Sequence, residues 1–335
     1  MPTIETRGYW GDLIKGVSAK FANVFNEAKE SYSLALNDLV ATPGNKMTAI
    51  FKMDSTEKAR ERYVTKAGLG YLTNTPEGAA FAQDARVPGY ITNITPQKYT
   101  SGVTLTLEAM QDQDYQAALD EFADLTVSAQ ETKDKLALQL FNYGFTAAAS
   151  VPPDYAIYGD AKPLFSTIHP LAGSSSTVSN ASSTGLVLNE ANLETARLAM
   201  QNQLDDRGKP MRVGTGKLVL LVPPALEKTA VIITKGEKRS GTANNDINIY
   251  DGLFTVVASQ YISAVFSGGS DTAWYIIDPR VAKLSFVMRK DLTTSRYIDN
   301  RTKDTTFDIY GRWQVCAGDF RGLWGSKGDA VAYSS

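Results

Sequence analysis

Between Glu108 and Phe145 the chain runs without a proline, and Tyr115, Leu119, Phe122, Leu125, Ala129, Leu136 and Leu140 fall close to a 3.6-residue period. That spacing predicts one amphipathic helix. If it is continuous over Asp112 to Asn142 it spans about 45 Å at 1.5 Å per residue, longer than a typical globular helix. A rod of that length sets the scale of whatever packs on it. Its charge is lopsided: Glu108, Asp112, Asp114, Asp120, Glu121, Asp124, Glu131 and Asp134 stand against Lys133 and Lys135 alone, net −6. The early carboxylates suit a helix N-terminus, with Asp112 and Asp114 read as capping residues. The remaining excess requires either solvent or a basic partner.

Upstream, two strand-like segments, Met47 to Met53 and Ser101 to Leu107, bracket about fifty residues rich in Gly, Thr, Pro and charge. The reading is an extended loop or long hairpin projecting from the body. Within it Lys58, Arg60, Arg62 and Lys66 surround Tyr63, which raises a nucleic-acid patch. The interleaved Glu57 and Glu61 favour a helical face with paired charges. Nearer the start, Phe21, Val24, Phe25, Ala28, Tyr32, Ala35, Leu36 and Leu39 predict an amphipathic helix ending before Pro43-Gly44. It either packs on its own domain or docks elsewhere.

Downstream, residues 146 to 186 are rich in Ala, Pro, Gly and Ser and read as surface loop. A compact α/β region follows, with a helix over Asn189 to Leu204, a buried-type strand over Lys217 to Val222, and a helix opened by Pro223. Strands are expected at Phe254–Ser259, Trp274–Asp278, Leu284–Arg289 and Phe307–Cys316, with a polar mobile tip over Lys235 to Asn248. The 335 residues suit two or three compact regions, and no repeat of 20 to 50 residues is visible.

The rare residues exclude most site chemistries. The chain holds one histidine, His169, and one cysteine, Cys316, so neither a zinc site nor a thiol nucleophile with its partner base has its residues, and no disulfide forms within the chain. His169, flanked by Pro and apolar residues, reads as an ordered turn element bonded to backbone, not as a base for Ser166 or Thr167. Cys316, in a strand, reads as a buried inert thiol. Asp205-Asp206 beside Arg207-Gly208-Lys209 reads as a charged turn. Phosphate-loop, dinucleotide and nucleophile-elbow patterns are missing. No catalytic, cofactor or metal residue is assigned. The longest apolar run, Leu218 to Val222, is far short of the roughly 20 residues of a membrane span, and no secretory leader is read at the start. A net charge of −2 names no polyanionic partner.

In this order the segments resemble the major capsid protein of tailed bacteriophages, over roughly residues 45 to 330. The resemblance rests on Thr75-Pro76-Glu77-Gly78-Ala79, on Leu105-Thr106-Leu107-Glu108 with Asp112 and Tyr115, and on the run Lys162 to Leu171. It continues through Leu221-Val222-Pro223-Pro224-Ala225-Leu226, Asn245-Asp246-Ile247-Asn248, Trp274 to Pro279, and Asp319-Phe320-Arg321-Gly322-Leu323-Trp324-Gly325. It implies an α+β capsid fold: N-terminal arm (1–46), extended loop (47–107), peripheral domain with a spine helix and surface loop (108–186), axial domain (187–273), and strands returning to the peripheral domain (274–335).

By the same resemblance the protein is a structural subunit of an icosahedral or prolate head, self-assembling through pentamers and hexamers around double-stranded DNA without sequence-specific contact. Scaffold, portal and head-decoration or completion proteins are the further partners, and the virion, assembled in the host cytoplasm, is its place. Residues 51 to 100 carry net +2 and residues 280 to 327 net +5, so basic segments are available to the acidic helix. The expected subunit-interface residues are Lys58, Arg60, Arg62, Lys66 and Arg86 on the loop and Asp112, Asp114, Asp120, Glu121 and Asp124 on the spine. Only about 40 residues precede the first strand, and a start at Met1 favours a separate scaffold over a processed precursor. A cellular nanocompartment shell of the same fold and a carboxylate-dependent hydrolase are the alternatives.

Overall fold

The proline-free run folds as two helices, not one. In a computed structural model, which describes residues 15–29, 50–66, 68–80, 83–85, 87–112, 115–235 and 248–333, Thr106 caps a short helix α2 (Leu107–Gln111), its hydroxyl accepting from Ala109 N. Asp112 is the C-cap of that helix, and the long helix α3 (Gln116–Asn142) opens at Tyr115 with no side-chain cap. The expected capping by Asp112 is therefore at the wrong end. Asp114 lies outside the described residues. At 27 residues α3 is about 40 Å long, and it buries Leu119, Phe122, Thr126, Gln130, Lys133, Leu136 and Leu140 along one stripe.

That stripe packs on a sheet built from both ends of the chain. Strands β1 (Lys52–Ser55), β4 (Gln97–Leu105), β11 (Leu284–Ile298) and β12 (Thr305–Ala317) lie in the order β1-β11-β12-β4, and β5 (Tyr155–Ala156) extends β12. The two strands that bracket the excursion thus do not pair with each other; they occupy opposite edges, with the β11–β12 hairpin between them. Along β12, Thr305, Phe307, Ile309 and Trp313 point into the core while Thr306, Asp308, Tyr310 and Arg312 take the other face. Gly311 is required where it stands, because a Cβ there would collide with the Trp313 ring.

Residues 15–29 form helix α1, which starts earlier than the periodicity indicated; the expected continuation to Leu39 lies outside the described residues, as do Met47 to Thr48 and Ala49 of the first strand. Phe21 of α1 stacks on Phe307 at 3.9 Å and meets Phe122 edge-on at 5.1 Å, so the helix is part of the first core. The excursion contains its own hairpin, β2 (Glu61–Lys66) with β3 (Pro88–Ile94). Its inner side, Tyr63 and Ile94, packs on Val287, Ala156 and Cys316, covering one end of the outer sheet face.

A second sheet, β13-β10-β8-β9, joins β8 (Leu218–Val222), β9 (Phe254–Ala258), β10 (Trp274–Ile277) and β13 (Leu323–Ser326). Helices α4 (Glu190–Gln201) and α5 (Pro224–Thr234) accompany it. β8 and β9 are parallel with α5 as the crossover. β8 is buried on both faces: Val219 and Leu221 face the first core, whereas Leu218, Leu220 and Val222 face a second core with Trp274 and Trp324. That explains an unbroken apolar run in place of an alternating one. The expected tip is described only at Lys235 and Asn248.

The stretch 146–186, expected as surface loop, is exposed over most of its Ser-rich part, Gly173–Thr177, Ser179, Ser183 and Thr184, and buried around it. It carries β6 (His169–Pro170) and β7 (Thr177–Val178), and it buries Leu164, Phe165, Ser166, His169 and Asn180. His169 does not bond to backbone as expected. Its Nδ1 lies 2.6 Å from Asp160 Oδ2 and its Nε2 3.1 Å from Asn180 Oδ1, with the ring stacked on Phe320 at 3.8 Å.

Candidate assembly surface

The exposed side of α3 carries a group of carboxylates. On the α3 side Asp120, Glu121 and Asp124 are exposed, as is Asp112 at the end of α2. Asp120 accepts a hydrogen bond from Gln116 Nε2 at 3.0 Å, and among the described residues none of the four carboxylates forms an ion pair. Alternation explains why they are outward: α3 turns Leu119, Phe122 and Thr126 to the sheet, which leaves 120, 121 and 124 on the far side of the helix.

The loop cations sit differently from their expected helical face. Lys58 and Arg60 lie in a bend, and Arg62 and Lys66 lie on β2, a strand. The interleaved Glu57 and Glu61 do not pair with them, and on β2 Glu61 points to the face opposite Arg62 because alternate strand residues point to opposite faces. Glu61, Tyr63 and Thr65 turn inward and Arg62, Val64 and Lys66 outward. Tyr63 Oη donates to Asp54 Oδ2 at 3.0 Å, fastening the hairpin to β1. Burial, then the Asp54 carboxylate, pushes the Tyr63 phenol well above its ordinary range. Arg86 lies outside the described residues. The structure thus brings Lys58, Arg60, Arg62 and Lys66 together on one hairpin and the spine carboxylates together on α3, and it does not join the two groups within one chain.

The far end of the excursion is held by contacts that composition did not reveal. Arg207 Nη2 pairs with Asp84 Oδ1 at 2.9 Å, Lys209 Nζ donates to Leu69 O at 2.5 Å, and the same ammonium lies 4.9 Å from the centre of the Tyr71 ring. The charged turn after α4 is therefore a cradle for the loop. Asp205 organises it by accepting from Arg207 N and Lys209 N. Asp206, by contrast, is buried and pairs with buried Arg321 at 2.7 Å. Beyond the cradle Tyr71 to Ala80 are all exposed, with Leu72 fully so. The tip turns at Pro76-Glu77-Gly78-Ala79, where Ala79 N donates to Pro76 O at 3.1 Å and Gly78 takes φ +81°, a conformation glycine adopts freely.

Sequence reasoning also missed the anchor under the spine. Lys133, 4% exposed, reaches Asp291 Oδ1 at 2.8 Å, and Lys29 of α1 reaches the other oxygen at 2.8 Å. Burial draws the Lys133 ammonium below its ordinary range, against the opposing pull of Asp291. Asp291 is raised by burial, but the hydrogen bonds and charges of Lys133 and Lys29 outweigh that and hold it at about 2. Cys316 is buried, and burial pushes its thiol far up, consistent with an inert side chain. Among the described residues no group of three or more His, Cys, Asp or Glu side chains is placed to hold a metal ion, and no helix is long and apolar enough to cross a membrane.

Residues 89–326 match a family model described as phage capsid protein. Among solved structures the chain is similar to the capsid of cyanophage A-1(L), with 12% identity, 82% of this chain and 89% of that chain covered, and a TM-score of 0.52. It is also similar to the mature capsid of bacteriophage PhiM1, with 14% identity, 82% and 85% covered, and a TM-score of 0.50. At these identities the likeness is one of fold. No curated protein sequence matches.

Proposed function

The chain belongs to the phage capsid protein family, and from that premise we propose how its charged surfaces are used. It is a structural subunit of a phage head shell, self-associating into a capsid, and a virion component. The family match sets this reading above a nanocompartment shell and a carboxylate-dependent hydrolase. We read the chain as having no catalytic role.

In the proposal residues 1–46 are the N-terminal arm, 47–107 the extended loop, 108–186 the peripheral domain, 187–273 the axial domain and 274–335 the returning strands. Copies associate as pentamers and hexamers, since heterologous contacts that close into rings generate a shell from one chain. Scaffold, portal and head-completion proteins, and packaged DNA held without sequence readout, complete the assembly, which forms in the host cytoplasm. The observation that carries the interface assignment is the separation of charge. Lys58, Arg60, Arg62 and Lys66 and the spine residues Asp112, Asp120, Glu121 and Asp124 are exposed and form no ion pair with each other within the chain. Pairing between copies satisfies both. Arg86 and Asp114 join the assignment by their place in the sequence.

Exposed ion pairs contribute only about 0 to 1 kcal/mol each, so these residues set register and encounter while apolar burial supplies most of the association energy. Electron microscopy with light scattering on the purified chain is expected to give closed shells, tubes, or free pentamers and hexamers. A persistent monomer, even with its neighbouring genes co-expressed, would remove the shell reading. Reversing Asp120, Glu121 and Asp124 to Lys is expected to leave folded subunits that assemble poorly or aberrantly. Normal shells from that triple variant would remove the charge-pairing assignment alone.

A further inference from the structure

The first core is not filled everywhere beneath α3. A cavity of about 200 Å³ opens between the helix and the first sheet, at the edge formed by β4. Leu292 of β11 with Ile309 and Trp313 of β12, all buried, make its floor, and Leu125 and Ala129 of α3 make its roof. Hydroxyls rim the mouth, from Thr100 and Ser101 on β4 and Ser128 on α3. Among the described residues no charged side chain lines it. Its inner wall holds an unsatisfied donor: Trp313 is 1% exposed, and its Nε1 has no hydrogen-bond partner among the described residues. The benzo edge of that ring stands over Gly311, where a Cβ would meet Cζ3, Cε3 and Cη2, so the edge that carries Nε1 is turned away from the strand, toward α3. Tyr99 stacks on the ring at 4.7 Å and closes one side. A donor buried without a partner is costly. Water relieves it poorly, because a buried water needs two to four polar partners. Here Tyr99 Oη already donates to Asp154 Oδ1, and Thr132 Oγ1 donates to Ser128 O at 2.8 Å.

We propose that this cavity is a binding site for a small uncharged molecule, a single aromatic ring bearing one hydrogen-bond acceptor, which seats its ring against Leu125, Leu292 and Ile309 and its oxygen on Trp313 Nε1. Three observations select that occupant. The first is volume: an apolar cavity of roughly 150 Å³ holds one benzene ring. A space of about 200 Å³ therefore takes a ring with a small substituent and has no room for a helix or a strand. The second is the uncharged lining, which turns away phosphates, nucleic acid and ionised peptide side chains, since each would enter without a counterion. The third is the lone donor: an indole nitrogen gives a hydrogen bond and cannot accept one, so the ligand must accept. A bound ring also supplies the dispersion contacts that Leu125, Ala129 and Ile309 lack on their cavity side. Because the walls come from α3, β4, β11 and β12, occupancy ties the long helix to its sheet and stabilises the first core by mass action. Every wall belongs to one chain, so the site is complete in a single subunit and does not rest on the shell reading.

The test uses the full chain as unassembled subunits, labelled with nitrogen-15 at its four tryptophans. Trp313→Phe assigns the Trp313 indole signal by removing it. Acetophenone is expected to move that signal downfield and to raise the unfolding midpoint. Isopropylbenzene, of the same shape without the acceptor, is expected to bind without the downfield shift. In Trp313→Phe the preference for acetophenone over isopropylbenzene, read by equilibrium dialysis, is expected to fall about three- to tenfold, the range of one neutral hydrogen bond. Ala129→Leu fills the roof and is expected to abolish binding of both compounds in a chain that stays folded. Four results overturn the proposal. A Trp313 signal unmoved by millimolar acetophenone would leave the cavity without a ligand of this class. Equal binding by the parent chain and Ala129→Leu would place the compound elsewhere. An unchanged preference in Trp313→Phe would take Nε1 out of the site. Binding by subunits but not by assembled chains would mean that a side chain of a neighbouring copy fills the cavity instead of a free molecule.

Discussion

Lys133 Nζ and Asp291 Oδ1 are 2.8 Å apart, and they join the long helix to β11 beneath the surface at which the subunit presents its acidic side. Lys29 of α1 completes a three-residue bridge through the other carboxylate oxygen. Removing the shared anion leaves a buried ammonium over the Trp313 ring, 5.3 Å from its centre, with no counterion. Breaking a fully buried pair costs about 3 to 5 kcal/mol. The Asp291 side chain is 44% exposed, so water screens part of the interaction and the expectation is about 2 kcal/mol for Asp291→Asn. Lys133→Met, which removes the charge and keeps the volume, is expected to cost less than about 1 kcal/mol. Urea denaturation of the two variants checks the order; equal losses would mean that packing, not charge, makes the contact.

The same bridge sets an acid limb of stability. The Asp291 carboxyl is held at about 2 against an ordinary 3.8. A carboxylate whose pKa is lower in the folded state binds fewer protons there than in the unfolded chain, so stability rises with pH across that window. Its contribution is complete above about pH 5 and falls away as pH drops through 4 toward 2. Unfolding midpoints between pH 6 and 3 are expected to fall less steeply in Asp291→Asn than in the parent chain. Parallel curves would assign the acid sensitivity to other carboxylates.

How much of this was readable from the sequence depends on whether the determining contacts are local. The period of Leu119, Phe122 and Leu140, the helical spacing from Asn189 and the Pro223-Pro224 helix start were legible because one or two helix turns carry each signal. The partner of β1 was not, because β11 lies more than two hundred residues downstream and parallel pairing leaves no local trace. Arg62 and Lys66 show the same limit: their spacing fits a helical charge pattern, and only the β3 partner strand makes them one outward edge of a hairpin. The exposed spine acids were visible as composition.

The sole histidine offers a measurement that needs no assignment. Three backbone groups fix the orientation of the Asn180 amide: Oδ1 accepts from Ser166 N at 2.8 Å, while Nδ2 donates to Leu164 O at 2.8 Å and to Phe320 O at 3.4 Å. Flipping the amide would set donor against donor and acceptor against acceptor. Asn180 Oδ1 is therefore an acceptor, and His169 Nε2, 3.1 Å away, carries a proton. On the other side Nδ1 lies 2.6 Å from Asp160 Oδ2, and the remaining Asp160 oxygen accepts from Lys162 N. The network ties Asp160, His169 and Asn180 to Phe320 in the return toward β13. In a histidine-labelled sample the single Nε2 signal is expected in the protonated range, with its hydrogen exchanging slowly because the ring is fully buried. Asn180→Ala, which removes the acceptor of His169 Nε2 and the side-chain donor to Leu164 O, is expected to cost about 2 to 3 kcal/mol. An unprotonated Nε2 would show that the amide is turned the other way, with Nδ2 donating to the ring.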